Sequence, residues 1–325
     1  MMIKAFFDKY MDGSCDIAVA VSGGADSMAL CFALSEYLSN DITIHALTVD
    51  HGLRLEAGDE ALHVAQQLAR LPNIEHHILK WEHSGGATPD ARIQELARNA
   101  RYDLMGGYMR ERDIAHLFLG HHMGDQAETF LFRLAKGSGI DGLSCMLPLQ
   151  KMVNDVILCR PMLDLEKSYM IDFCADRAIE YIDDPSNKSD NYARVRLRKS
   201  MDILASEGLS AKRLSVCAAR HARARKALEY AADKGFEQCI LQNDAKRIVF
   251  AFKPLTEMPE EIVLRIVITA MAHLTHSEGY GARLERVENL CSDLMTEKPF
   301  RKRTLGGLVF EHNSKDNTFV IFLER

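Results

Sequence analysis

AVAVSGGADSMAL, residues 18–30, passes from an apolar run into a helical pattern through two glycines and an aspartate. The apolar run, Asp16–Val21, predicts a buried strand, and a helix is predicted from Ala25 to about Leu38. The turn between them, Ser22-Gly23-Gly24-Ala25-Asp26-Ser27, has the makings of an anion cradle. Glycines let backbone approach a ligand closely, and the amides at a helix start attract negative charge. The spacing is neither G-x-x-x-x-G-K-[ST] nor G-x-G-x-x-G, so a Walker loop and a dinucleotide fingerprint are both excluded at this turn. What remains is an ordinary tight turn of small residues or, as the clustering of Ser, Gly, Gly, Asp and Ser between strand and helix favours, a pyrophosphate cradle. Its backbone amides and the hydroxyls of Ser22 and Ser27 are the expected donors. Asp26 repels phosphate, so its expected role is to hold Mg²⁺ on the phosphates.

Outward from this turn, strand and helix alternate. Strands are predicted at Ile42–Val49, Ile74–Lys80 and Ala115–Gly120, with helices at Glu56–Leu71, from Thr88-Pro89 to Arg112, and at Asp125–Lys136. Such alternation predicts an α/β domain with a parallel sheet, taken as five-stranded, covered by helices on both faces. Ligands of such sheets sit outside the carboxyl ends of the strands. The distinctive strings fall there: Ser22–Ser27, Asp50–Arg54 and His121–Glu128. In the last of these, Asp125 and Glu128 lie three apart and share one face of a helix start. They can cap that helix, or they can face the cleft and hold a cation or take a proton from an amine. His121 and His122 end a strand and fit a structural role without further ligands. Gly137-Ser138-Gly139-Ile140-Asp141-Gly142 matches G-x-G-x-x-G but follows a helix rather than a strand, which reads as a C-cap and turn.

The chain has 325 residues and a formal net charge of −6. That length predicts more than one domain, and the acidity confines any nucleic-acid surface to a patch. Ten cations lie between Arg194 and Lys226, against only Asp202 and Glu207, in a stretch that also includes Arg198, Arg220 and Arg223. This is either a solvated helix face or a contact for a phosphate-rich partner. The expected organisation is a catalytic domain over 1–205, a helical connector over 206–240, and a small α+β domain over 241–325. The last has helices near Pro259–Leu274 and Ala282–Thr296, and strands near Thr304–Phe310 and Thr318–Leu323. Eight cysteines are scattered without a C-x-x-C, which gives no sequence support to a zinc ribbon or iron–sulfur cluster. No apolar run is long enough to span a membrane and no signal peptide is visible, so a cytoplasmic protein is expected.

The turn Ser22–Ser27 resembles the S-G-G-x-D-S signature of PP-loop ATP pyrophosphatases. Further strings narrow the resemblance: Val49-Asp50-His51-Gly52-Leu53-Arg54, His121–Thr129 with Arg133 and Gly137-Ser138-Gly139, Gly142-Leu143, Arg160-Pro161 and Asp184-Pro185-Ser186-Asn187. Together they are similar to the tRNA(Ile)-lysidine synthetase family, strongly over residues 15–200 and more weakly to the C-terminus, where Thr304-Leu305-Gly306-Gly307 fits a second domain. Two positions depart from that pattern: Gly124 stands where the family usually has an aspartate, and Val195 where it has an asparagine. The resemblance implies an enzyme that uses ATP and Mg²⁺ to adenylate C2 of the wobble cytidine in an isoleucine tRNA with the anticodon CAU. The amine of free L-lysine then displaces AMP. It implies Asp26, Asp125 and Glu128 as catalytic residues, and Ser22–Ser27 with Asp50 and His51 as the nucleotide site. It also implies Arg98, Arg101, Arg133, Arg194, Arg198, Arg220, Arg223 and Lys226 as contacts to substrate or tRNA. Two other readings stay open: another adenylating tRNA modifier such as a thiolase, and a non-catalytic tRNA- or nucleotide-binding protein. The sequence leaves the oligomeric state open, a homodimer included.

Overall fold

The computed structural model describes residues 2–11, 15–52, 57–82, 93–152, 156–182, 193–275, 284–296 and 300–324. They form two compact units, Met1–Ala222 and Arg223–Arg325. The first holds α1 (Met2–Tyr10), β1 (Ile17–Ala20), α2 (Ala25–Tyr37), β2 (Ile44–Asp50), α3 (Ala57–Leu68), β3 (Ile74–Lys80), α4 (Ile93–Glu111), β4 (His116–Phe118), α5 (Met123–Leu134), α6 (Ile140–Leu143), β5 (Leu149–Lys151), β6 (Ile157–Cys159), α7 (Lys167–Asp176) and α8 (Ala193–Ser206). The division between units falls inside α9 (Ala211–Cys239). The predicted helix start at Thr88-Pro89 and the string Asp184–Asn187 lie outside the described residues.

The sheet of the first unit has the order β3-β2-β1-β4-β6-β5. Its first five strands run parallel, and β5 is an antiparallel edge strand on β6. The five parallel strands are as expected; the antiparallel sixth is not visible as a pattern in its three residues. Side chains alternate between two apolar faces, as a doubly covered sheet requires. Ile17, Val19, Ile44 and Ala46 pack on one side with α1, α2, α3 and α7. Ala18, Leu47 and Leu117 pack on the other with Met105, Tyr108 and Met109 of α4. Helix α2 is buried at ten positions, which explains why its sequence shows no polar face. Helix α1 covers the same side: Phe7 stacks on Phe118 at 5.6 Å between ring centroids.

The second unit holds the rest of α9, β7 (Ile240–Asn243), β8 (Arg247–Ala251), α10 (Phe252–Thr256), α11 (Glu260–Thr275), α12 (Leu284–Leu294), β9 (Arg303–Leu305), β10 (Leu308–Asn313) and β11 (Thr318–Leu323). Its sheet is antiparallel throughout, in the order β7-β8-β11-β10-β9, and one core joins it to α11 and α12. The single strand expected at Thr304–Phe310 is a hairpin. Gly306 and Gly307 have φ of 61° and 75°, the two positive values that a tight hairpin turn requires, so the chain reverses between β9 and β10.

Candidate active site

Strand order reverses between β1 and β4. Strands β2 and β3 lie to one side of β1, while β4 and β6 lie to the other. At such a switch point the loops leave in opposite directions and open a crevice at the carboxyl ends. The two loops there are Ser22–Ser27, after β1, and Gly120–His122, after β4.

The first loop turns at Gly23, whose φ of +84° is the left-handed region, and enters α2 at Gly24. No side chain caps that helix start. Ser27 Oγ accepts the Ser22 N–H at 3.2 Å and lies 3.0 Å from the Gly24 carbonyl, to which it donates. Of the two hydroxyls expected to face phosphate, Ser27's therefore shapes the loop from inside, and Ser22's is exposed. The second loop comes very close. A Cβ on Gly120 would meet Asp26 C at 3.0 Å and Ser27 N at 3.1 Å. Only glycine allows this approach, so Gly120 shares one wall with Asp26 and Ser27, which lie far from it in the sequence.

His122 is the N-cap of α5. Its Nδ1 accepts the Gly124 N–H at 2.9 Å, and Asp125 Oδ2 accepts the His122 N–H at 2.9 Å. With Nδ1 an acceptor, the ring proton belongs on Nε2. Nε2 lies 3.8 Å from Asp26 Oδ2 and 3.7 Å from Asp125 Oδ2. The same geometry accounts for Gly124, since a Cβ there would sit 2.6 Å from His122 Cε1. The departure from the family pattern is thus matched to the folded-back ring of His122.

Asp26 Oδ2 also lies 3.7 Å from Lys167 Nζ at the start of α7, while its Oδ1 is buried without a hydrogen-bond partner. A buried carboxylate oxygen with no donor suits a hard cation such as Mg²⁺. Glu128 is buried and paired through both oxygens with Arg198 of α8, at 2.5 Å to Nε and 3.0 Å to Nη2. The hydrogen bonds it donates to Glu128 hold the Arg198 guanidinium above its ordinary pKa. The capping and cleft readings of the carboxylate pair therefore divide: Asp125 caps the helix beside Asp26, and Glu128 is ion-paired one turn further on.

A cleft of about 200 Å³ runs along this wall, lined by Ser22, Asp26, Arg98, Arg101, Tyr102 and His121 among others. Arg101 Nη2 is 3.3 Å from His51 Nε2, and burial lowers the Arg101 pKa below its ordinary value. Burial also pushes His121 down to about 4, so its imidazole is neutral near pH 7 and supplies no charge for phosphate. The remaining sequence candidates lie elsewhere or hold the backbone. Asp50 Oδ1 accepts the Gly52 N–H at 2.9 Å. Arg133 Nη1 donates to the Gly142 carbonyl at 2.6 Å, fixing the glycine-rich turn after α5, where Gly137 has φ of +70°. Arg220, Arg223 and Lys226 are exposed on α9, and the side chain of Arg194 lies outside the described residues. Residues missed in the sequence are Lys167, for which a lone lysine gives no signal, and Gln126. The latter clamps the Met146 backbone through hydrogen bonds of 2.8 and 3.0 Å. Arg160 of the Arg160-Pro161 string is buried and donates to the Leu147 carbonyl at 2.9 Å. Among the described residues, no helix is long and apolar enough to cross a membrane.

Comparison with known proteins identifies the fold and the family. Residues 2–203 match the PP-loop domain family. Among solved structures, the U34-tRNA thiolase NcsA from Methanococcus maripaludis superposes with a TM-score of 0.57 over 68% of this chain and 78% of its own. At 16% identity that likeness shows the fold alone. Proteins named tRNA(Ile)-lysidine synthase are far more similar in sequence. That of Methylobacterium sp. (strain 4-46) is 38% identical over 301 residues, 91% of this chain and 86% of its own. That of Methylobacterium nodulans is 39% identical over 276 residues, 84% and 79% of the two chains. With the PP-loop, the switch-point cleft and these relatives in agreement, the chain belongs to the tRNA(Ile)-lysidine synthase family of PP-loop enzymes.

Proposed function

We propose that this enzyme joins free L-lysine to C2 of the wobble cytidine of the CAU-anticodon isoleucine tRNA through an adenylated tRNA intermediate. The observation that carries the reading is the meeting of Asp26 and Asp125 around His122 Nε2, at 3.8 and 3.7 Å. It joins the phosphate-type loop to the carboxylate helix in one cleft. ATP lies with its phosphates over Ser22–Ser27, where the amides at the start of α2 and the exposed Ser22 hydroxyl face it. Arg98 and Arg101 line the same cleft and supply positive charge. Asp26, whose Oδ1 is buried without a partner, would hold Mg²⁺ with Asp125 nearby, and the ion would supply charge neutralisation for the phosphates. The cytidine O2 attacks the α-phosphorus, the bond to the β-phosphate oxygen breaks, and C2 gains a leaving group. The base must leave its stack to reach the cleft.

Lysine then attacks C2 through its side-chain amine, and AMP departs with the electrons of the C2–O bond. The amine must first lose a proton. Glu128 orients the ammonium, and Asp125, one turn away on the same helix, serves as the base. Arg198 pairs with both oxygens of Glu128 and so fixes the orientation of that carboxylate. The basic face of α9 and residues 241–325 contact tRNA.

The test is mass spectrometry of anticodon nucleosides after incubation with the tRNA, ATP and lysine. A lysine adduct on the wobble cytidine, dependent on both small molecules, is the expected product. Product with a sulfur donor but not lysine would favour a thiolase, and no turnover would favour a non-catalytic binder.

A further inference from the structure

A second group of ionisable side chains lies on β2 and β3, outside the cleft. The parallel register sets His45 opposite Glu75 and Leu47 opposite His77. Glu75 and His77 are two apart on β3, so they project from one face of the sheet. On that face His45 Nδ1 lies 3.8 Å from Glu75 Oε2, and His77 Nε2 lies 3.6 Å from the same oxygen. His45 is buried, His77 is partly buried and Glu75 is 60% exposed, so the group opens to solvent on the carboxylate side. Among the described residues this is the one trio of histidine, cysteine or acidic groups whose ligand atoms all lie within 4.8 Å of one another.

We propose that His45, Glu75 and His77 form a binding site for a divalent transition-metal ion of the zinc type. This goes beyond the synthase reading and does not depend on it, since none of the three residues lines the candidate active site. Two imidazole nitrogens and one carboxylate oxygen are the donor set that zinc takes when it keeps a fourth position for water. Magnesium and calcium prefer oxygen-only sets. Zinc bonds of about 2.0–2.2 Å at tetrahedral angles put neighbouring ligand atoms about 3.3 Å apart. The His45–Glu75 and His77–Glu75 gaps of 3.8 and 3.6 Å exceed that spacing by only a few tenths of an ångström. His77 Nε2 is buried without a hydrogen bond, so it is open to a ligand bond. The competitor is the Tyr108 hydroxyl, 3.0 Å from His45 Nδ1, which must swing away for that nitrogen to bind. Because β3 is the edge of the sheet, a metal here pins the edge strand to its neighbour.

The experiment uses the full chain after chelator treatment, titrated with ZnCl₂ by calorimetry and followed by thermal unfolding. One equivalent binds and raises the melting temperature. Glu75→Gln, at an exposed position with no packing role, weakens that binding at least about tenfold and removes the thermal shift. His77→Ala does the same. His76→Ala, whose ring faces Thr48 Oγ1 at 2.8 Å instead, keeps the binding, and any weaker zinc uptake left in His77→Ala reports ions held elsewhere, including by the eight thiols. The proposal is overturned if Glu75→Gln binds zinc as tightly as the parent chain, or if the parent binds no zinc at a tenfold excess.

Discussion

At the scale of single residues, the site turns on three side chains with different neighbours. Asp26 has one oxygen near Lys167 and His122 and one buried without a donor. Asp26→Ala should reduce tRNA-dependent pyrophosphate release by about 10²–10³-fold, as expected for loss of charge stabilisation at a reacting phosphate. The fold should persist in circular dichroism, because the residue lies at a cleft. Normal pyrophosphate release would remove Asp26 from the chemistry. Glu128→Gln should slow lysine transfer about 10²-fold while adenylation falls less than tenfold, read as trapped adenylated tRNA against finished product. Breaking its pair with the half-exposed Arg198 should also cost about 1–2 kcal/mol of stability. Equal losses in both steps would assign Glu128 to ATP or to the fold. His121 gives a pH prediction. Its folded pKa of about 4 lies below the ordinary 6.5, so the unfolded chain binds more protons between those values. Its contribution is complete above about pH 6.5 and fades as pH falls towards 4, by up to about 3 kcal/mol. Urea midpoints across that range should fall less steeply in His121→Asn than in the parent; parallel curves would mean His121 is not the group titrating.

At the scale of elements, the cleft depends on backbone proximity that only glycine permits. In Gly120→Ala the new methyl would meet the Asp26 and Ser27 backbone at 3.0–3.1 Å, and backbone cannot turn aside as a side chain can. The loops must part, at a cost of about 1–3 kcal/mol and at least about tenfold in adenylation. Unchanged pyrophosphate release in that variant would show the two loops to be independent. This closeness was only half legible in the sequence. Periodicity located β1, α2, β2 and β3 because their apolar patterns run for several residues. It passed over β5 and β6, whose three residues each carry no period, and α1, whose Phe6 and Phe7 read as an unremarkable apolar pair until Phe118 is placed beside them. The carboxylates Asp125 and Glu128 were legible from their spacing. The partners that define their charge, His122 and Arg198, were not, because nothing in a linear string says which histidine folds back over a glycine.

At the scale of the whole molecule, the charge is uneven: the chain is net acidic, yet Arg220, Arg223 and Lys226 stand exposed along α9. Spaced at three, they share a helix face. Replacing all three with Gln should weaken tRNA binding at low salt. The slope of log affinity against log salt should flatten by about 2–3, the release of three phosphate contacts. ATP binding should be unaffected, since none of the three lines the cleft. Filter binding over a salt series reads both, and an unchanged slope would return these cations to a solvated face. The loop at Ser22–Ser27 also owes its form to distant chain. Its Gly23 carbonyl accepts the Ile182 N–H at 2.9 Å, and Gly120 closes on Asp26 from the other side. The cradle is therefore a property of the folded domain rather than of its own six residues: chain from as far along as Ile182 holds it in shape.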